Sequence, residues 1–343
     1  VKNIVMRNLA SIQRIKTLEP IEGAANIEKA TVLGWHLVVK KGEFQVGDLV
    51  VYCEVDSVLP EKEEFEFLRP RKFRIRTIKL RGQVSQGICF PISILPEYFL
   101  VEEGKDCTET LGITKYEPPI PACLSGVMKG NFPEFIPKTD ETRVQVLQPL
   151  LDRLAGTTCY IAEKLDGSSA TFYLKDGVFG VCSRNIELVE SEDNSFWKVA
   201  RQMNLEEKLK SYSKNLAIQG ELVGEGVQGN KLALKGQTVR FFNVFDIDRF
   251  KYLSYQDFLN CSSELDIPIV PILDQSYLLS NDIDTLEKLS ERRSFLNPGV
   301  WAEGIVIRPV EEQMDMFLSS KHFNSGRVSF KVINPKFLLK YES

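Results

Sequence analysis

The chain has 343 residues, 43% hydrophobic and 26% charged, with a net charge of −4; this length favours two domains, and this composition excludes a wholly disordered chain. No stretch approaches the ~18 consecutive apolar residues of a membrane-spanning helix, and no long apolar run follows Lys2 and Arg7 as a secretory signal requires. Seven scattered cysteines, never spaced CxxC, argue against a disulfide framework or zinc ribbon and for a reducing compartment, whereas two histidines leave little room for histidine metal sites or serine–histidine triads. The chemistry must therefore run on Lys, Arg, Asp and Glu.

Residues 1–115 read as short strands: Lys29–Leu33, Trp35–Lys40 and, after the turn Gly47-Asp48, Leu49–Val55. Phe73–Ile75 and Ile78–Leu80 continue the pattern across a change of register that suggests a bulge. Such strands with glycine turns fit a small OB-like β-barrel, and a sandwich nearly as well. The segment holding Arg69, Arg71, Lys72, Arg74, Arg76, Lys79 and Arg81 contains no acid and follows the acidic run Glu61–Glu66. It either faces nucleic-acid phosphates or is a solvated segment paired with that run. Glu117–Pro121, followed by Gly126, Gly130 and Pro133, reads as part of a connector over 116–138.

Residues 139–343 read as an α+β domain with a mostly antiparallel sheet. Thr139 or Asp140 is placed to cap a helix displaying Leu147, Leu150, Leu151 and Leu154, which Pro149 should kink or restart. Ser169–Leu174 and Val178–Cys182 flank the turn Lys175-Asp-Gly177 as a hairpin. Asn194 should cap a helix displaying Phe196, Val199, Ala200 and Met203. Strands follow at Ala217–Val223, Val239–Phe245 and Gly304–Ile307, with a helix around Leu286 and Leu289. Gly224-Glu-Gly226-Val-Gln-Gly229 matches G-x-G-x-x-G, but a short basic segment and another strand come next, not a helix; a dinucleotide site is rejected.

The most informative stretch is Glu163-Lys-Leu-Asp-Gly-Ser168. A lysine amine is a nucleophile only when deprotonated, and nearby positive charge, including a divalent metal, lowers its pKa. Asp166 could recruit that cation, and Gly167 lets backbone approach a phosphate closely. Glu221 and Glu303 each sit in apolar strand context, where an unpaired acid is costly, which favours function over a solvated edge. Phe245 reads as core.

These residues also form a pattern. Glu163–Ser168 resembles motif I of the covalent nucleotidyltransferases, the ATP-dependent DNA and RNA ligases and mRNA capping enzymes. Ser183-Arg-Asn185 resembles their ribose-contacting segment, Gln219–Gly224 motif III, Phe242–Ile247 motif IIIa, Ala302–Arg308 motif IV and Ser329–Ile333 motif V, in the expected order. With the β-domain before motif I rather than after motif V, the chain resembles the fifth RNA-ligase family, of the Deinococcus and Naegleria type. Gly47–Pro60, Lys79–Gly87 and Pro137–Gln145 extend the likeness, and in the last of these the family's arginine is functional.

The resemblance implies an N-terminal OB-like domain before an antiparallel, ATP-grasp-like adenylyltransferase domain, and an ATP-dependent RNA ligase using Mg²⁺ or Mn²⁺. It makes Lys164 the nucleophile and Lys331 the α-phosphate contact. Glu163, Gly167, Arg184, Glu221 and Phe242 become nucleotide contacts, and Asp166, Glu221 and Glu303 metal-associated acids. Arg143, with Arg69, Arg71, Lys72, Arg74 and Arg76 of the β-domain, would meet RNA. Ile333 stands where many ligases carry a second lysine, leaving Lys336, Lys340 or Lys331 alone to serve. The expected partner is a nicked duplex with an RNA 3′-OH strand, met by a monomer with no membrane attachment, inside a cell in the cytoplasm, nucleus or an organelle. A DNA nick ligase, a guanylyltransferase and a catalytically silent nucleic-acid-binding protein are the alternatives.

Overall fold

A computed structural model describes residues 8–321 and 324–341. The chain divides into two units, Val1–Pro118 with Leu338–Ser343, and Pro119–Phe337. Among the described residues no helix is long and apolar enough to cross a membrane, and all seven cysteines are free thiols.

The first unit is built on a five-stranded antiparallel sheet ordered Trp35–Lys40, Ile27–Val32, Ala10–Pro20, Leu49–Cys53 and Ile88–Pro91. The long Ala10–Pro20 strand serves two partners, and a bulge between Ile15 and Thr17 marks where it bends from one to the other. Ile12, Ile15, Trp35, Leu37, Val51 and Tyr52 fill the interior. The expected strand at Phe73–Ile75 is absent: residues 63–71 form a 3₁₀ segment, and Lys72 and Phe73 then take left-handed φ values of 51° and 57°. Two such residues in succession cannot extend a strand, and only an isolated bridge from Arg74 to Val58 remains.

The second unit contains two sheets. The larger has seven antiparallel strands, ordered Met128–Asn131, Ile186–Leu188, Val178–Cys182, Ser168–Lys175, Leu216–Gly224, Gln237–Asp246 and Lys251–Tyr252. Its first strand falls inside the segment expected to be a connector. The smaller is ordered Thr142–Arg143, Phe330–Ile333, Gly304–Pro309, Thr158–Lys164 and Ile272–Leu278, with only its first pair parallel. Helices Ser195–Gln202, Leu205–Ser211 and Tyr255–Glu264 bury Phe196, Leu209 and Phe258 with Phe172, Ile218 and Phe241 of the larger sheet. Helices Gln148–Leu154 and Ile283–Ser290 bury Leu151 and Leu286 with Ile161, Ile305 and Val332 of the smaller.

Local chemistry explains most boundaries. Asn194 caps its helix as expected, its side-chain oxygen accepting the Phe196 and Trp197 amides. Thr139 and Asp140 cap nothing. The helix there starts only at Gln148, with Pro149 in its first turn, where a missing amide does no harm; Thr139 instead bonds Ser169, and Asp140 pairs with Arg184. The Gly224–Gly229 segment opens no helix. Gly224 has φ +118°, and a Cβ there would lie 2.0 Å from the Gly236 carbonyl oxygen, so its glycine serves closure of the loop.

Candidate active site

Lys164 is the last residue of Thr158–Lys164, and only Leu165–Gly167 separate it from Ser168–Lys175 in the other sheet. Its Nζ donates to Glu303 Oε2 at 2.7 Å. The Gly304–Pro309 strand, which follows Glu303, pairs with Thr158–Lys164 so that Gly304 faces Lys164. Glu221 enters from the larger sheet, opposite Ser169. Asp166 Oδ1 accepts from Lys231 Nζ at 3.1 Å, while its Oδ2, buried, has no hydrogen-bond partner among the described residues.

Three acids around one amine dominate the electrostatics. Burial favours the neutral amine of Lys164, but Glu303 and Glu221, then Asp166, outweigh it and raise the pKa. Burial, with the charge on Glu303, pushes Asp166 up to about 7 against the pull of Lys231 and Lys164. Burial likewise pushes Glu221 up to about 8, although Lys164 opposes it. Oxygen-rich, partly buried and short of positive charge, Asp166, Glu221 and Glu303 have the donor chemistry that could hold a hard divalent cation.

Each acid adjoins a glycine whose missing side chain matters. A Cβ on Gly167 would lie 2.3 Å from the Leu222 carbonyl oxygen, one on Gly220 2.6 Å from that of Arg240, and one on Gly304 2.2 Å from that of Val332. Gly167 is therefore required by the approach of a neighbouring strand's backbone. The acids are positioned by strand-to-strand contact.

Beside Lys164 opens a cavity of about 60 Å³, partly open to solvent. Phe242, Val270 and Val306 supply apolar wall, with Glu141 and Arg308 also lining it. Phe242 is partly exposed while Phe241 and Phe245 on the same strand are buried, which bears out Phe245 as core. Arg308, 3% exposed, ties the wall together. It donates to the Phe242 carbonyl and Glu141 Oε1, both at 2.9 Å, to Ser329 Oγ at 2.7 Å and to the Tyr160 hydroxyl at 3.3 Å. Glu141 is buried, which alone would raise its pKa, yet Arg308 and Arg327 hold it below the usual carboxylate range.

Of the remaining expected residues, Glu163 lines the cavity and accepts the Phe295 amide at 2.7 Å, burial raising its pKa. Arg143 and Lys331 face each other across the parallel pair, and Lys331 faces Val306 on its other side. Arg184, half exposed, is paired with Asp140 at 2.5 Å. In the first unit the basic run is divided. Arg69 is bonded to Glu66 and Glu61, and Arg74 is bonded to Asp56 at 2.6 Å with its guanidinium 3.6 Å over Tyr116. Arg76 is partly buried, whereas Arg71 and Lys72 are exposed.

Sequence reasoning missed Glu141, Lys231 and Arg308. Lys231 lies just after Gly224–Gly229, in the stretch read only as a short basic segment. Arg308 carried a usable signal: a charge closing the apolar run Ile305–Ile307 must be paired if buried.

A family model described as RNA ligase matches residues 157–333, and one described as an OB-fold domain matches residues 9–92. Among solved structures, the chain is similar to an apo variant of Naegleria gruberi RNA ligase at 38% identity, covering 98% of each chain with a TM-score of 0.88. A variant of that ligase with ATP and manganese gives 39% identity over 97% of this chain and 99% of that one, with a TM-score of 0.89. The ligase with pyrophosphate gives 39%, 98%, 99% and 0.88 for the same quantities. No curated protein matches. The lysine, its three acids and most of the cavity's lining lie in the region matched by the ligase model, and with the structural likeness covering 98% of the chain, the chain belongs to the RNA ligase family.

Proposed function

We propose that the protein is an ATP-dependent RNA ligase that works through a lysyl–AMP intermediate. The observation that carries this reading is the Lys164 amine held 2.7 Å from Glu303, among three acids, on the lining of the Phe242 cavity. In the first step the unprotonated Lys164 amine attacks the α-phosphorus of ATP. A P–N bond forms, the P–O bond to the β-phosphate breaks, pyrophosphate leaves, and the nitrogen gives up its proton. AMP then passes to a strand's 5′-phosphate, freeing Lys164. Finally a 3′-hydroxyl attacks that phosphate and expels AMP.

Phe242 stacks on the adenine, and Glu163, Gly167 and Arg184 complete nucleotide contacts. Lys331 neutralises charge on the α-phosphate as the bonds exchange, where stabilisation counts most. Asp166, Glu221 and Glu303 would hold a divalent cation, Mg²⁺ or Mn²⁺, which would offset the negative charge that otherwise keeps Lys164 protonated. Arg143, with the exposed Arg71 and Lys72, holds RNA phosphates. A nick places both ends together, so sealing a nicked duplex with an RNA 3′-OH is favoured over joining separate strands, by a monomer. Intact-mass spectrometry after incubation with ATP or GTP and either metal tests the reading. A single AMP adduct, from ATP only and lost in Lys164→Met, is expected. An adduct from GTP alone would indicate a guanylyltransferase, and none under either metal, from protein not already adenylylated, a binding protein.

A further inference from the structure

The Glu291–Trp301 segment presents an aromatic and a cation to solvent beside the nucleotide cavity. Phe295 is 71% exposed although its neighbour Ser294 is buried. The segment is well anchored. The Phe295 amide is held by Glu163, the residue before Lys164; the Ser294 amide bonds the Val300 carbonyl, and Asn297 Nδ2 donates to the Leu232 carbonyl at 3.0 Å. An exposed ring on a restrained backbone is prepared for stacking with little ordering left to do.

Two residues earlier, the Arg293 guanidinium lies 3.8 Å over the Trp301 ring and has no carboxylate partner among the described residues. Among the described residues its one hydrogen bond is a long one, 3.4 Å to the Gly299 carbonyl. Stacking keeps the guanidinium flat and leaves most of its N–H groups available to an anion. Phe295 does not line the nucleotide cavity, so the adenylate pocket does not explain its exposure.

We infer that this segment is a polynucleotide contact in which Phe295 stacks on a nucleobase of the RNA and Arg293 holds a phosphate of the same strand. An aromatic face and an available cation two residues apart match the alternation of base and phosphate along a strand, and a stacked base needs no particular sequence. The inference rests on the ligase reading and adds to it a named surface for the strand. The contact acts alongside Arg143 and is distinct from any contact made by the first unit.

The test is fluorescence anisotropy of labelled nicked RNA, which needs no catalysis, with sealing followed in parallel. Phe295→Ala is expected to weaken RNA binding about 30-fold, the middle of what one base–aromatic stack supplies. Phe295→Trp should restore binding; Phe295→Leu, with apolar bulk but no aromatic face, should not. Arg293→Ala should flatten the slope of log Kd against log salt by about 0.7–0.9, one phosphate contact. Wild-type binding in Phe295→Ala, or equal restoration by Leu and Trp, overturns the inference. Wild-type protein that binds RNA but neither forms the AMP adduct nor seals overturns the ligase reading instead.

Discussion

Replacing Arg308 with methionine removes a buried fork bonded to four segments of the second unit. Its partners are the Glu141 carboxylate, the Tyr160 hydroxyl, the Phe242 carbonyl and Ser329 Oγ. Methionine fills much of the volume but takes from Glu141 the nearer of the two arginines that hold its charge, and breaking a buried pair from one side costs about 3–5 kcal/mol. Against the ~5–15 kcal/mol that stabilises a domain, that is a large fraction. At roughly 2–4 °C per kcal/mol for a unit of this size, Tm should fall by about 6–20 °C. The Phe242 wall should loosen at the same time, raising the KM for ATP more than it lowers kcat. Urea unfolding of the two single variants and of Arg308→Met with Glu141→Gln forms a cycle, and the double variant should recover about 2 kcal/mol of the summed losses. A Tm within about 2 °C of wild type, or strictly additive losses, would refute Arg308 as the element that holds the pocket together.

Other outcomes follow from features nearby. With Asp166 raised from 3.8 to about 7 and Glu221 from 4.5 to about 8, the folded metal-free protein keeps protons there that the unfolded chain has lost. Its stability should therefore fall as pH rises through that window, and the thermal shift on adding Mn²⁺ should be larger at the upper end than at the lower. Gly304→Ala places a Cβ 2.2 Å from a backbone oxygen. It should cost about 3 kcal/mol, read as a lower urea midpoint at unchanged m-value, and abolish adduct formation. In the first unit, Arg71→Ala with Lys72→Ala should weaken RNA binding and reduce its salt dependence, whereas Arg74→Ala should chiefly lower stability, because it removes the ion pair with Asp56 and uncovers Tyr116. Equal losses of RNA affinity in the two cases would contradict that division.

Features carried by local chemistry were legible in the sequence: the Asn194 cap, the hairpin around Asp176-Gly177 and the absence of a helix after Gly224. Those set by distant neighbours were not. Phe73–Ile75 alternates like a strand, but Lys72 and Phe73 are left-handed, and what forms is a single bridge, Arg74 to Val58, with backbone bonds to the residues on either side. The run from Arg69 to Arg81 reads as one basic patch, although folding turns Arg74 toward Asp56 and Tyr116 and leaves Arg71 in solvent. The order of the acids could be read from the sequence. The reason each adjoins a glycine could not, since the carbonyl that would clash belongs to another strand.

The three residues between Lys164 and Ser168 join strands of different sheets, so the chain limits the gap there to about 14 Å at full extension. Lys164 and Glu303 come with the smaller sheet and Glu221 with the larger. A folding intermediate with either sheet alone would hold an incomplete set of charges, however native that sheet might be. Competence to accept AMP should therefore appear late in refolding, after secondary structure has formed and when the two sheets dock. Adduct formation sampled during refolding would time that docking event directly, without a spectroscopic label.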